Sequence, residues 1–300
     1  MAFGYRAGRR APSRRRRPSL LTPSWACSAR VRRAVGLCFI VGVVAALVLL
    51  LVPGSGKRVS PSSSATRLSS SSKLRLQRRV AALFAGIPQH GVVLGDSTAP
   101  VTMQVFVDLE DHNDGTLWFN EMLPPIIERF VRTKVLKLEF RSFKTDTLNA
   151  SPFIVQQTSA MAAGKQDLLW NYVTTFVNEQ GPEFTNYVTE EFVRGIAKQV
   201  PGLRLAEWER SRNAVMERAV VADDSSAREA GLYVTPSFRI GRTRGRMKNF
   251  FGSTVKLYRK FVVHTRPSGE RYIAGVSSQP QHLVSLVDAA DVKKAVKELA

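Results

Sequence analysis

The hydrophobic residues follow two kinds of pattern along this chain, and the first kind predicts β-strands. Val101–Val107 reads VTMQVFV, an almost continuous apolar run with the length of a strand that is buried on both faces. Similar runs predict three further strands, at Val135–Arg141, Ser237–Ile240 and Leu257–Val263. Because these strands lie far apart in the sequence, a sheet that contains them needs long connections.

The second pattern, with apolar residues three and four positions apart, predicts helices in those connections. The predicted helices are Lys73–Ala85, Gly115–Arg132, Phe153–Ala163, Leu168–Glu179, Thr189–Gln199, Leu205–Ser211, Arg212–Ala230 and Val292–Leu299. The order strand, helix, strand implies a parallel pair, and the late strands suggest an antiparallel hairpin. We therefore predict an α/β domain in which a helical block, about residues 145–230, is inserted between the halves of a small sheet.

The N-terminal part of the chain has a membrane-type pattern. Residues 1–33 form a basic arm with ten arginines, and the run Ala34–Val52 carries no charge. A helix of this length spans about 28 Å, close to the thickness of a bilayer core. We predict a transmembrane anchor at residues 34–53, with the arm in the cytoplasm because basic residues precede the anchor. A cleaved signal peptide is the alternative interpretation.

These segments divide the rest of the chain. Residues 54–83 combine a Ser-rich linker with a short helix. Residues 84–300 are then expected to form one folded domain outside the cytoplasm, at the cell membrane. The lipid bilayer is a predicted partner through residues 34–53.

Charge is distributed unevenly, and this argues against nucleic acid as a partner of the folded domain. The net charge is +20. Residues 1–79 hold 17 Lys and Arg and no Asp or Glu, whereas the remaining residues hold 27 basic and 24 acidic side chains. The basic arm is explained by attraction to anionic lipid next to a membrane anchor. We therefore expect no nucleic acid partner, and no pattern predicts a small-molecule cofactor.

Five stretches of the body resemble one known family. In chain order they are LFAGIPQHGVVLGDSTAPVTMQVFVDL, MLPPIIERFV, VLKLEFRSF, KQDLLWNYVTTFVNEQG and AGLYVTPSF. They resemble the thioredoxin-fold thiol–disulfide oxidoreductases of the DsbA type, in particular their membrane-anchored actinobacterial relatives. The resemblance covers roughly residues 84–240. It implies a thioredoxin-like fold with an inserted helical subdomain, and a cis proline at Pro236, preceded by Thr235.

The same resemblance exposes a missing motif. The family carries Asp-x-x-Cys-x-x-Cys after its first core strand, whereas this chain reads DLEDHNDG. Counting forward from Asp108 places the cysteine positions on Asp111 and Asp114, and counting backward from Leu123–Pro124 places them on His112 and Gly115. Both registers lack sulfur.

The cysteine count leads to the same conclusion. The chain contains two cysteines, Cys27 and Cys38, and both precede the folded body. Disulfide exchange requires a thiolate, so we predict no catalytic residue for redox chemistry in the body.

Two interpretations of the acidic turn remain open. Asp114 can cap the helix that follows it by accepting backbone N–H bonds. Alternatively, the turn forms a metal or acid–base site, in which Asp108, Glu110, Asp111, His112 and Asp114 would be the candidates. Their spacing matches no familiar metal-binding loop, so the expectation from sequence is no metal.

A peptide groove between the turn and Thr235–Pro236 is the functional hypothesis. In the family, the cis proline leaves the preceding backbone free to pair with an extended chain, so Thr235, Pro236 and His112 are the predicted binding residues. We predict a membrane-anchored, redox-inactive protein that binds polypeptides or an envelope protein, in a chaperone-like or scaffold-like role. The alternatives are a thiol–disulfide oxidoreductase or isomerase of envelope protein folding, and a metal-dependent function at the acidic turn.

Overall fold

The computed structural model describes residues 69–112, 114–258, 261–276 and 282–299. All of them belong to one compact unit, Ser63–Ala300. The predicted arm 1–33, the predicted anchor 34–53 and most of the linker lie outside the described residues. Among the residues that are described, no helix is both long enough and apolar enough to cross a membrane.

A six-stranded sheet forms the centre of this unit, in the order β1-β2-β4-β3-β5-β6. The strands are β1 Gln89–His90, β2 Val93–Leu94, β3 Val101–Val107, β4 Leu136–Ser142, β5 Ser237–Arg242 and β6 Lys248–Phe250. β3 pairs in parallel with β4, as the strand–helix–strand order predicts, and antiparallel with β5. The α/β architecture is the one that the strand and helix patterns predict, and it agrees with the fold that the resemblance implies. β3 has the predicted bounds, because its uniform apolar run lies at the centre of the sheet.

The connection between β3 and β4 is helical but irregular. It consists of α2 Asp114–Leu117, a π-helical turn Trp118–Met122, α3 Leu123–Ile126 and a second π-helical turn Ile127–Val131. The N–H of Leu123 donates to the carbonyl of Trp118 five residues earlier. Pro124 and Pro125 follow and have no N–H to donate, so the regular helical ladder is interrupted at this point. The segment nevertheless forms the predicted helical crossover between the parallel strands.

The other helices agree with the sequence patterns to within a few residues. They are α1 Ser70–Phe84, α4 Ala150–Gly164, α5 Leu169–Val177, α6 Glu190–Ala197, α7 Leu205–Ser211, α8 Ala214–Glu229 and α9 Ala289–Leu299. α4 to α8 form the helical block between β4 and β5. Trp118, Trp170 and Trp208 are fully buried, and each indole N–H donates to a backbone carbonyl. Burying these large rings stabilises the contact between the helices and the sheet.

The predicted strand Leu257–Val263 is wrong as a single element. β7 Thr254–Tyr258 pairs with β10 His282–Leu286, and β8 Phe261–Thr265 pairs with β9 Arg271–Val276. The apolar residues on either side of Arg259–Lys260 thus belong to two strands with different partners. Local pattern does not reveal this division, because a strand is defined by its pairing with distant residues. The late part of the chain contains antiparallel pairs, as predicted, but β5 pairs with β3 and β6 and β8 pairs with β9, so the two late strands predicted from the sequence do not pair with each other.

Candidate functional site

The end of β3 and the start of β5 bring the two predicted halves of the site together. The acidic turn 108–112 follows β3 directly. In the antiparallel pairing Phe106 lies opposite Ser237, so the preceding residue Pro236 lies beside the end of β3. The Thr235–Pro236 peptide bond is cis, as the resemblance implies. The residues that follow β3 and those that precede β5 therefore lie at the same end of the sheet.

Asp108 is the most fully bonded side chain of the turn. It is 1% exposed. One carboxylate oxygen accepts the backbone N–H groups of Thr145, Asp146 and Thr147 at 2.8–2.9 Å. The other accepts the N–H of Glu110 at 3.1 Å and the hydroxyl of Thr147. A carboxylate with this many donors fixes the loop after β4 against the end of β3.

That loop also reaches the proline turn. The hydroxyls of Thr145 and Thr235 are 2.5 Å apart and share a hydrogen bond. Both Thr235 and Pro236 are buried. The buried Thr235 side chain therefore holds the proline turn against the loop after β4. Of the predicted binding residues, Thr235 thus positions its neighbours and does not face solvent.

Glu110 is as buried as Asp108 but has the opposite environment. It is 1% exposed, and neither carboxylate oxygen has a hydrogen-bond partner among the described residues. Burial is the main cause that raises the pKa of Glu110 to about 8, and the charges of Asp108 and Asp146 act in the same direction, against a lowering by Lys144. A carboxyl of this kind holds a proton at neutral pH unless another positive charge reaches it.

Three more carboxylates meet next to Glu110. One oxygen from each of Asp111, Asp146 and Glu183 lies within 4.8 Å of the other two. Asp111 and Asp146 are buried and Glu183 is half-buried. The nearby Lys144 is itself partly buried, which lowers its pKa, and its ammonium group donates to the carbonyl of Thr147. The site is therefore strongly negative.

His112 and the helix start complete the turn. The His112 side chain is exposed, and its backbone N–H donates to the Glu183 carboxylate at 3.0 Å. Gln180 donates to the carbonyls of Leu109 and Asp111 and so holds the turn against the helical block. Gly115 is buried against the Asp111 side chain. α2 begins at Asp114, but the side chain of Asp114 lies outside the described part of the chain, so its capping role stays a prediction.

An apolar cavity of about 280 Å³ opens on the other side of Pro236. The residues that line it are Gly231, Leu232, Tyr233, Val234, Pro236, Ser237, Phe238, Phe250, Phe251, Gly252 and Ser285. Tyr233 is 57% exposed and Phe251 is 66% exposed, which is unusual for large aromatic side chains. The pairing of β6 with β5 ends at Phe250–Phe238. The cavity lies where the two strands separate.

Sequence patterns found only part of this site. The turn and Thr235–Pro236 were identified, but Thr145, Asp146, Glu183 and the aromatic cavity residues were not. Asp146 and Glu183 lie in loops that give no periodic signal. Tyr233 belongs to the stretch AGLYVTPSF, where an aromatic residue three positions before the expected cis proline was the available signal.

Comparisons with known proteins agree with the fold. A family model described as "Thioredoxin" matches residues 88–249. No curated protein matches the chain.

Three solved structures illustrate the likeness. BdbD from Bacillus subtilis is 14% identical, with a TM-score of 0.48 over 71% of this chain and 96% of that one. α-DsbA1 from Wolbachia pipientis is 16% identical, with a TM-score of 0.47 over 72% and 91%. A thioredoxin-like oxidoreductase from Silicibacter pomeroyi is 17% identical, with a TM-score of 0.44 over 73% and 95%.

Proposed function

The chain belongs to the thioredoxin family, and on that premise we propose that its body binds extended polypeptide segments in the apolar cavity beside Pro236 without exchanging disulfides. One observation carries the proposal: two largely exposed aromatic side chains, Tyr233 and Phe251, flank a cavity at the point where β6 leaves β5. Exposed aromatic groups around a concave surface are typical of sites that anchor a partner.

The sheet edge supplies the second part of the recognition. Beyond Phe238 the outer side of β5 is no longer paired with β6. An extended segment placed there can add main-chain hydrogen bonds to the sheet edge while its alternate side chains enter the cavity. The lining is mostly apolar, and no Lys, Arg, Asp or Glu is among the lining residues. The ligand that fits is therefore a polypeptide segment with apolar side chains at alternate positions.

The chemistry of the turn supports binding without redox activity. Thiol–disulfide exchange proceeds through a thiolate and a mixed disulfide. Residues 39–300 contain no cysteine, and the described turn presents carboxylates and an exposed imidazole instead. A carboxylate cannot form a mixed disulfide.

The second candidate function is thiol–disulfide exchange in the folding of envelope proteins. The family supports this candidate, because solved proteins of similar fold include oxidoreductases by name. Such a reaction would need Cys27 and Cys38 or thiols from a partner. A disulfide-reduction assay on the full chain separates the two candidates: turnover that disappears in Cys27→Ser/Cys38→Ser would establish exchange and contradict the proposal.

We also propose that residues 34–53 anchor this body to the cell membrane with the folded domain on the extracytoplasmic side. The uncharged run and the preceding arginines support it. Such an anchor would keep the cavity near newly exported chains or an envelope protein. Protease accessibility of the body in intact cells and in opened cells tests this orientation; digestion only after opening the cells would contradict it.

The binding test uses the full chain, kept in mild detergent because of its apolar run. A short cysteine-free, fluorescein-labelled peptide with alternating apolar residues is titrated, and its polarisation is recorded. Tyr233→Ser with Phe251→Ser should weaken binding at least about tenfold, since aromatic anchors dominate such sites. The matched control is Val215→Ser with Val221→Ser, two exposed apolar residues on α8, which should bind as the wild type does. Equal affinity in both variants would refute the proposed site.

A further inference from the structure

The first helix of the body, α1 Ser70–Phe84, carries four basic side chains and no acidic one. In residues 80–300, by contrast, 27 basic and 24 acidic side chains nearly balance. A helix gains stability from acidic residues in its first turn and from basic residues in its last turn. α1 has neither, and its first basic residue, Lys73, lies at the end of the first turn. The stability of the helix therefore does not account for these charges.

Contacts within the body account for two of the four basic side chains. Lys73 lies 3.6 Å from a carboxylate oxygen of the helical block, and Arg79 donates to a side-chain amide oxygen there. The other two, Arg75 and Arg78, are exposed. Within the described ranges, Arg75 donates only to the hydroxyl of Ser72 in the same helix, and Arg78 contacts no acceptor. Among these residues, two permanent positive charges therefore have no counter-charge.

Apolar surface lies next to these charges. Arg75, Arg78 and Arg79 are three and four positions apart, so they share one face of the helix. Leu74 precedes Arg78 by one turn and is 49% exposed. Arg79 lines a cavity of about 300 Å³, and the other lining residues are Val80, Leu83, Phe119, Asn120, Pro124 and Thr174.

This combination of charge and apolar surface favours one kind of partner. A small anion or a nucleic acid backbone is recognised through charge and hydrogen bonds, and gains little from exposed aliphatic groups. The surface of a phospholipid bilayer offers anionic headgroups with apolar chains directly beneath them. A basic helix face with apolar surface beside it therefore fits an anionic lipid surface.

We propose that α1 lies on the surface of a bilayer that contains anionic phospholipid, with Arg75 and Arg78 at the headgroups. The proposal rests on the membrane anchor proposed for residues 34–53, and goes beyond it because it states which face of the body contacts the lipid. The 16 residues 54–69 join that anchor to α1 and can span at most about 60 Å. Such a tether gives α1 a high effective concentration at the membrane, so a weak attraction is enough to orient the body. No residue of α1 lines the cavity beside Pro236, so lipid contact leaves the proposed peptide site open.

The experiment uses the full chain with Cys27→Ser and Cys38→Ser, in nanodiscs of phosphatidylcholine with or without phosphatidylglycerol. An environment-sensitive fluorophore is attached through Ala82→Cys, an exposed position one turn after Arg78, and its quenching by aqueous acrylamide is measured. The proposal predicts quenching at least about twofold weaker in the anionic nanodiscs, and loss of this difference at high salt because salt screens the attraction. The same fluorophore at Val215→Cys, on the exposed surface of α8, should be quenched equally in both lipids.

A pair of charge variants tests the face itself. Arg75→Gln with Arg78→Gln should remove the difference between the two lipids and leave Tm and peptide binding unchanged, since both side chains are exposed. The matched control is Arg210→Gln with Arg218→Gln, two exposed arginines on α7 and α8, and it should keep the difference.

The outcomes separate the anchor from the lipid-facing helix. Release of the chain from neutral nanodiscs would refute the anchor, and this proposal with it. A chain that stays in the nanodiscs but is quenched equally in both lipids would overturn this proposal alone. An undiminished difference in Arg75→Gln with Arg78→Gln would also overturn it. Equal protection by polyglutamate in neutral nanodiscs would assign the face to an acidic polypeptide instead, and would overturn it too.

Discussion

The Thr235–Pro236 turn separates two regions of opposite character. On one side lie Asp108, Glu110, Asp111, Asp146 and Glu183, with most of their carboxylates buried. On the other side lies a cavity lined by apolar and aromatic residues, two of them largely exposed. Polar groups are therefore inside and apolar groups outside, the reverse of the usual preference. The exposed aromatic residues of the apolar region deviate from what stability alone would select, which is the reason to look for a ligand there.

Within the acidic region, Asp108 and Glu110 are equally buried but differ in their hydrogen bonding. Both are 1% exposed. Asp108 accepts five hydrogen bonds, whereas Glu110 accepts none within the described part of the chain. The Asp108 carboxylate stabilises the fold, whereas the buried Glu110 carboxyl destabilises it. Substitution of each tests this difference.

Replacing Asp108 should have the largest effect on stability. Asp108→Ala leaves four backbone N–H groups and one hydroxyl without their acceptor in a buried site, so the free energy of unfolding should fall by at least about 3 kcal/mol. Chemical denaturation measures it. Asp96→Ala is the control, since Asp96 also accepts a backbone N–H and a hydroxyl, but near the surface. A loss for Asp108→Ala no greater than that of the control would contradict this assignment.

Glu110→Gln should increase the free energy of unfolding, in contrast to Asp108→Ala, when divalent ions have been removed from the protein. The folded pKa is about 8 and the ordinary value is 4.5. Between these values the folded state keeps a proton that the unfolded chain has released, so stability falls as pH rises. Glu110→Gln cannot ionise, so, if its stability is close to that of the wild type near pH 5, it should exceed the wild type by about 3.5 kcal/mol near pH 8. Parallel stability–pH curves for the two proteins would argue against a raised pKa.

The hydroxyl bridge between the two regions should contribute less. Thr235→Val keeps the shape of a buried side chain and removes its hydrogen bond to Thr145. We expect a loss of about 1 kcal/mol in the free energy of unfolding. Thr145→Val removes the same bond from the other side, and the double variant should lose no more than the larger single loss. Additive losses would show that the two hydroxyls act independently.

The smallest effect on stability is expected on the apolar side. Tyr233→Ser with Phe251→Ser removes side chains that are mostly in water, so the free energy of unfolding should change by less than about 0.5 kcal/mol. Together with the binding test, this result would assign stability to the acidic side and the proposed peptide binding to the apolar side. Thermal unfolding of the pair measures it, and a marked destabilisation would mean that the aromatic residues belong to the core.

The sequence predicted the strands and helices of the fold better than the residues of the candidate site. β3 was predicted to the residue because a continuous apolar run in a central strand has one interpretation. The short strands Gln89–His90 and Val93–Leu94 were missed, since two residues give no period to detect. Asp108 and Pro236 were found through the resemblance. Asp146 and Glu183 were not, because their approach to Asp111 depends on how distant loops pack, and no local pattern records it.

Hydrogen exchange of the full chain, with and without a saturating apolar, cysteine-free peptide, tests the central claim most directly. The account predicts slower exchange in residues 232–238 and 249–252, with little change in residues 108–112 and 144–147. Slower exchange confined to the acidic turn, or no protection beside Pro236 at a peptide concentration that saturates binding, would contradict it.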